Sequence, residues 1–161
     1  MDLQRELHTI VDVLNTAGIP YAVCGGLAVA LHGYPRATQD LDILIREADL
    51  AAAKMVLETV GYLIPAGMIA FRAGTPQEQS AFRVSRMLDG ELLTLDLMLV
   101  TPIMADVWDD RISLSLDSRD ISVVSREGLG KMKRLAGRYK DLADLEGLGL
   151  PLESQNEPAA E

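Results

Sequence analysis

The sequence predicts a single α/β (α+β) domain, a mixed twisted sheet with helices packed mainly on one face. Three observations predict it. Segments of helical and of strand periodicity alternate along the chain rather than separating into blocks. A two-residue turn signal, Asp89-Gly90, joins two alternating runs into a hairpin, so the sheet cannot be purely parallel. The length of 161 residues, with 48% apolar and 24% charged residues, suits one core and gives no sign of a second domain.

Each element has a local reason. Leu3, Leu7, Ile10, Val11 and Leu14 recur at helical spacing, and Gly18 with Pro20 ends that amphipathic helix. Its apolar stripe belongs with the chain's own core, or with a second copy. Tyr21-Ala22-Val23-Cys24 reads as a short apolar strand whose cysteine is a buried thiol rather than a nucleophile. Gly25-Gly26 opens a short helix that ends near His32, a capping or packed histidine. A strand runs through Asp40 to Ile45, and a helix from about Ala48 to Val60 stops at Gly61. Tyr62 to Arg72 has strand character interrupted by Gly67, with Gly74 and Pro76 beyond it, and 73–79 reads as a loop. Ser80 to Leu88 and Glu91 to Val100 form the hairpin. Pro102 to Asp109 reads as a short helix, and 111–116 and 121–124 as short strands around a turn at 117–120. Ser125 is the N-cap of a helix stopped by Gly137, and Asp141 the N-cap of the last helix. Residues 1–150 thus form the domain, and the polar, acidic, proline-containing stretch 151–161 reads as a disordered tail.

The most informative run is Thr38-Gln39-Asp40-Leu41-Asp42-Ile43-Leu44-Ile45. On a strand alternate residues share a face, so Asp40 and Asp42 project together while Leu41, Ile43 and Ile45 enter a core. Adjacent carboxylates repel, and a hard divalent cation with oxygen ligands relieves that repulsion. A third acid is found independently: in Glu91 to Val100, Leu93, Leu95, Leu97 and Leu99 occupy one face and Asp96 the other. If that strand lies beside the first, three carboxylates converge, as two metal ions about 3.5–4 Å apart require for displacement at phosphorus. The Gly25-Gly26 turn at a helix N-terminus offers backbone N–H groups to phosphate. Arg36, on the loop leading to the carboxylates, can neutralise a triphosphate, the plainer alternative being an ion pair with Glu47 or a neighbour.

The stretch Gly25 to Asp42, with its Gly-Gly pair, short helix, Arg36-Ala37-Thr38 lead-in and Asp-x-Asp strand, resembles the signature of the DNA polymerase β-type nucleotidyltransferase superfamily. Within it the chain is most similar to the small bacterial AbiEii-type, toxin-like group. The superfamily usually carries Gly-Ser where this chain has Gly25-Gly26, which removes a hydroxyl contact to phosphate and leaves the backbone N–H groups. A second block, Leu129 to Glu146, is similar to the closing pattern of the same group. Six of the 15 basic residues fall between Arg126 and Lys140, and on this pattern Lys133 and Arg138 join Gly25, Gly26, Arg36 and Thr38 as nucleotide contacts. The resemblance implies transfer of a nucleoside monophosphate from a nucleoside triphosphate, with two Mg²⁺ ions (or Mn²⁺) held by Asp40, Asp42 and Asp96. Asp96 would also accept the acceptor's proton. It also implies a toxin-antitoxin setting, with a cognate antitoxin as partner.

Composition narrows the remaining choices. The net charge of −9 argues against broad nucleic-acid binding, and seven aromatic residues leave few stacking platforms, so an RNA acceptor would need a local patch. No Cys/His cluster suggests zinc. One cysteine, a polar start and no apolar run of about 20 residues place the chain in the reducing cytoplasm and off the membrane. Two other classes fit the same residues: a catalytically silent nucleotidyltransferase fold that binds nucleotide or a protein partner, and an interaction domain whose acidic pair merely caps a sheet. The acceptor, whether RNA, tRNA, a protein hydroxyl or a small molecule, is not written in the spacing.

Overall fold

In the computed structural model, which describes residues 2–153, the helical periods become six α-helices and the alternating runs become seven strands of one sheet. The first helix, α1 (Leu3–Thr16), is started by Asp2, whose carboxylate accepts the Arg5 N–H at 3.1 Å. Its stripe Leu7, Ile10, Val11 and Leu14 is buried in the core. Strand β1 (Ala22–Cys24) runs directly into α2 (Gly25–Leu31), and the loop after α2 leads to β2 (Leu41–Ile45). Then come α3 (Leu50–Glu58), β3 (Ile64–Phe71), β4 (Gln79–Leu88), β5 (Glu91–Leu99), α4 (Ala105–Asp109), β6 (Ile112–Leu116), β7 (Arg119–Val123), α5 (Arg126–Ala136) and α6 (Tyr139–Leu148).

The sheet order is β3-β4-β5-β2-β1-β7-β6. β2 is parallel to β5 and antiparallel to β1, and β1 is parallel to β7. The remaining pairs are antiparallel. The Asp-x-Asp strand is therefore central, and Leu41, Ile43 and Ile45 are wholly buried beside Leu95, Leu97 and Leu99 of β5. Each such side chain contributes roughly 1.5–3 kcal/mol on burial. α1 and α3 lie on this apolar face: Glu6 of α1 accepts from Arg86 of β4 at 3.0 Å and from the Tyr62 hydroxyl at 2.8 Å, and Lys54 of α3 stands 4.1 Å from the centre of the Phe82 ring. α5 and α6 border the opposite face, where the polar residues of β2 and β5 project.

Turns form where their chemistry predicts. Asp89 and Gly90 both have positive φ (51° and 80°), as do Asp117 and Ser118 (49° and 62°), the mirror-image geometry that suits the twist of a two-residue hairpin. Gly137 stops α5 at φ 64°, and Ser125 caps its start by accepting the Gly128 N–H at 3.0 Å.

Three local expectations need correction. Ile64–Phe71 is a complete strand despite Pro65 and Gly67, because it is the sheet edge, where a missing donor costs nothing and a register shift between those residues absorbs the irregularity. The cap of α6 is Arg138, not Asp141; Asp141 stands three residues on and its carboxylate accepts the Arg138 N–H at 3.1 Å, the reciprocal half of a capping box. The strand containing the acidic pair begins at Leu41, so Asp40 lies just outside it and is exposed. The expected disordered tail falls mostly on residues 154–161, which lie outside the described residues.

Candidate active site

Register across four adjacent strands places Cys24, Asp42, Asp96 and Arg83 in one row. Asp42 faces Cys24 of β1 on one side and Asp96 of β5 on the other, and Asp96 in turn faces Arg83 of β4. The two acids predicted on separate strands are therefore direct neighbours. Arg83 holds Asp96 in a bidentate fork, with Nε 2.8 Å from Oδ1 and Nη2 2.9 Å from Oδ2. Asp42 has no hydrogen-bonded or ion-paired partner among the described residues; Cys24 beside it is a buried thiol.

The electrostatics follow from that placement. Burial, then the charges of Asp96 and Asp40, push Asp42 up from 3.8 to about 6, against the weaker pull of Lys133 and Lys140. Asp42 is partly buried and lines the cavity. Burial and the Asp42 charge likewise push the Cys24 thiol well above its ordinary range, so it stays neutral and is no nucleophile.

The glycine pair is required by close approach. Gly25 sits at φ 65°, and a Cβ there would lie 2.2 Å from Oδ2 of Asp42. A Cβ on Gly26 would lie 2.7 Å from the Thr38 hydroxyl oxygen and 2.9 Å from its Cβ. Thr38 and Arg36 fold back over the start of α2, and that explains why serine is absent at position 26. Gly26→Ala is expected to cost about 1–3 kcal/mol through this overlap. Chemical denaturation checks it; a loss below about 0.5 kcal/mol would mean that the lead-in loop moves freely aside.

Opposite the acids lies a basic wall that is already partly neutralised. Arg36 forks Asp144 of α6 (2.6 and 2.9 Å) rather than pairing with Glu47. Buried Lys133 of α5 reaches Asp144 at 2.9 Å and Asp141 at 3.2 Å. Arg138 holds Asp141 through Nε at 2.7 Å. Burial alone would raise Asp141, but Arg138 and Lys133 outweigh it and hold the carboxyl below its usual range. Three cations face two carboxylates, which leaves one positive charge over, and exposed Lys140 adds another at the rim.

All nine residues singled out from the sequence, Gly25, Gly26, Arg36, Thr38, Asp40, Asp42, Asp96, Lys133 and Arg138, line one cavity of about 590 Å³. Arg83, Asp144 and the pairing role of Asp141 were missed. Arg83 had a signal: the two-residue turn at Asp89-Gly90 pairs Leu88 with Glu91, and counting back five residues on each strand puts Arg83 opposite Asp96. His32 has a packed role, its Nε2–H donating to the Val124 carbonyl at 2.8 Å.

The donor set fits a hard divalent cation in part. Asp40 and Asp42 offer free carboxylate oxygens at the cavity floor, whereas both oxygens of Asp96 are taken by Arg83. No three acidic, histidine or cysteine side chains among the described residues converge as a preformed metal centre.

A family model described as an uncharacterised nucleotidyltransferase matches residues 1–128, from α1 into the start of α5. Three solved structures share the fold. TM1012 from Thermotoga maritima, assigned as a nucleotidyltransferase, is 18% identical with TM-score 0.62, over 89% of this chain and 90% of its own. ANT(2″)-Ia in complex with adenylyl-2″-tobramycin is 12% identical with TM-score 0.59, over 89% and 86%. The solution structure of the same antibiotic-resistance factor is 14% identical with TM-score 0.62, over 92% and 84%. No curated protein matches the sequence closely enough to indicate kinship. Among the described residues no helix is long and apolar enough to cross a membrane.

Proposed function

This chain belongs to the uncharacterised nucleotidyltransferase family, and from that premise we propose that its cavity transfers a nucleoside monophosphate from a nucleoside triphosphate to an acceptor, with a divalent cation, Mg²⁺ or Mn²⁺, as cofactor. The observation that carries the proposal is Asp42: an acid on the central strand, unpartnered, beside Asp40 and Asp96, with the Gly25 backbone packed against it. Asp40 and Asp42 would hold the cation, which when bound offsets the charge of the phosphates. The first turn of α2 has no side-chain cap, so its N–H groups are available to a phosphate oxygen. Arg138, with a side chain 61% exposed, and Lys140 supply cationic contact at the rim, while Lys133 and Arg36 act from behind by fixing α5, α6 and the lead-in loop to one another. Catalysis on this reading comes from positioning and charge, with no covalent enzyme intermediate.

The acceptor class stays as broad as the sequence left it, RNA, protein or small molecule. ANT(2″)-Ia carries an adenylylated small molecule, and its similarity to this chain supports the fold alone. The AbiEii-like kinship and a toxin-antitoxin role with an antitoxin partner rest on the sequence motifs, and the cytoplasmic setting on composition. A second reading, a silent nucleotide-binding or protein-interaction module, is favoured by one observation, the Arg83 fork that occupies Asp96.

Incubation with α-labelled and γ-labelled triphosphates, in the presence of cellular RNA and of a small-molecule extract, separates the two. Transfer from the α label alone, dependent on Mg²⁺, is the expected result. Metal-dependent nucleotide binding with no transfer from either label in any acceptor pool would favour the silent module.

A further inference from the structure

We propose that Arg83 supplies the second positive charge of the site, so that the chain binds one divalent cation, at Asp40 and Asp42, and not two. The inference rests on the cation-dependent reading above and changes what that reading asks of Asp96.

Three observations carry it. Strand register sets Arg83 directly across from Asp96, and the fork engages both carboxylate oxygens at 2.8 and 2.9 Å, which leaves Asp96 no oxygen free of a charged partner. Charge balance within the acidic row agrees: Asp40, Asp42 and Asp96 carry three negative charges, Arg83 returns one, and a single divalent ion matches the remaining two. Finally, among the described residues Arg83 is the one cavity cation paired with an acid of this row: Arg36 and Lys133 pair with Asp144 and Arg138 with Asp141, while Arg72 and Lys140 line the cavity without pairing to these three acids. Its neighbours Phe82 and Val84, buried on the opposite face of β4, fix the Arg83 backbone, while the guanidinium, with a side chain 39% exposed, is held by the fork itself. A planar, permanently charged group in a fixed fork can neutralise Asp96 without the dissociation equilibrium of a free ion. Asp96 thereby becomes a positioning residue that holds Arg83 toward Asp42, rather than a metal ligand.

The test counts bound Mn²⁺ by electron paramagnetic resonance on the full chain saturated with a non-hydrolysable triphosphate analogue, against the analogue alone. One ion per chain is expected in the wild type, one in Asp96→Asn, one in Arg83→Lys, and two in Arg83→Gln, where Asp96 is freed. Two ions in the wild type, or loss of an ion in Asp96→Asn, would overturn the proposal while leaving cation-dependent function intact. A single ion in folded Arg83→Gln would also overturn it. If Arg83→Gln fails to fold, the wild-type and Asp96→Asn counts decide. No bound ion in the wild type would overturn both this inference and the reading beneath it.

Discussion

Asp42→Asn is expected to lower nucleotidyl transfer on the order of 10³-fold while leaving the metal-free protein more stable than the wild type. The two effects share one cause. Burial, with Asp96 and Asp40 nearby, lifts the Asp42 carboxyl from 3.8 to about 6. Between those values the folded chain keeps a proton that the unfolded chain has released. The stability that this proton confers is therefore fully present below about pH 4 and is lost as pH rises toward 6, by at most about 3 kcal/mol. Asparagine keeps the shape and removes the titration, so the variant should hold a flat stability through that window and exceed the wild type at neutral pH. Mg²⁺ with nucleotide should reverse the order, because only the wild type then gains from binding. Urea denaturation at pH 4, 5, 6 and 7.5 measures the first effect and product formation the second. Equal stability of the two proteins at every pH would remove the buried, unpartnered carboxylate from the account.

Asp144→Ala should produce the largest loss of stability, about 3–5 kcal/mol. Asp144 is almost wholly buried, accepts from Arg36 and forms an ion pair with Lys133, so its removal leaves a buried ammonium with Asp141 as its remaining partner and frees the lead-in loop. A domain of this size has a total of about 5–15 kcal/mol, so denaturant unfolding would shift far. Transfer should fall as well, since Thr38 and Arg36 then no longer lie fixed over the start of α2. A loss below about 1 kcal/mol would mean that α6 is held by its apolar contacts alone.

What could be read in advance divides by distance along the chain. Asp40 and Asp42, the hairpin at Asp89-Gly90 and the caps at Ser125 and Gly137 are local, so propensity and spacing reveal them. Convergence of Asp96 on Asp42 depended only on two strands being neighbours, and the parallel β2–β5 pairing brings them side by side. The Arg83 fork was reachable by counting across the hairpin. The Arg36–Asp144 pair was not, because it spans 108 residues and depends on how α6 folds back over the loop, which no local period encodes. Lys133 shows the same limit: its place in the family pattern was visible in sequence, but its burial between two aspartates was not. Edge strand β3 was legible only as an interrupted strand for a different reason, since an exposed edge needs neither strict alternation nor a full set of donors.

The most direct measurement of the central claim is the melting temperature of the wild type and of Asp42→Asn with each of the four ribonucleoside triphosphates, with and without Mg²⁺. The account predicts that at least one triphosphate stabilises the wild type only when Mg²⁺ is present, and that this shift disappears in Asp42→Asn. No shift with any triphosphate at millimolar concentration, or an equal shift in the variant, would contradict a nucleotide site built on Asp42.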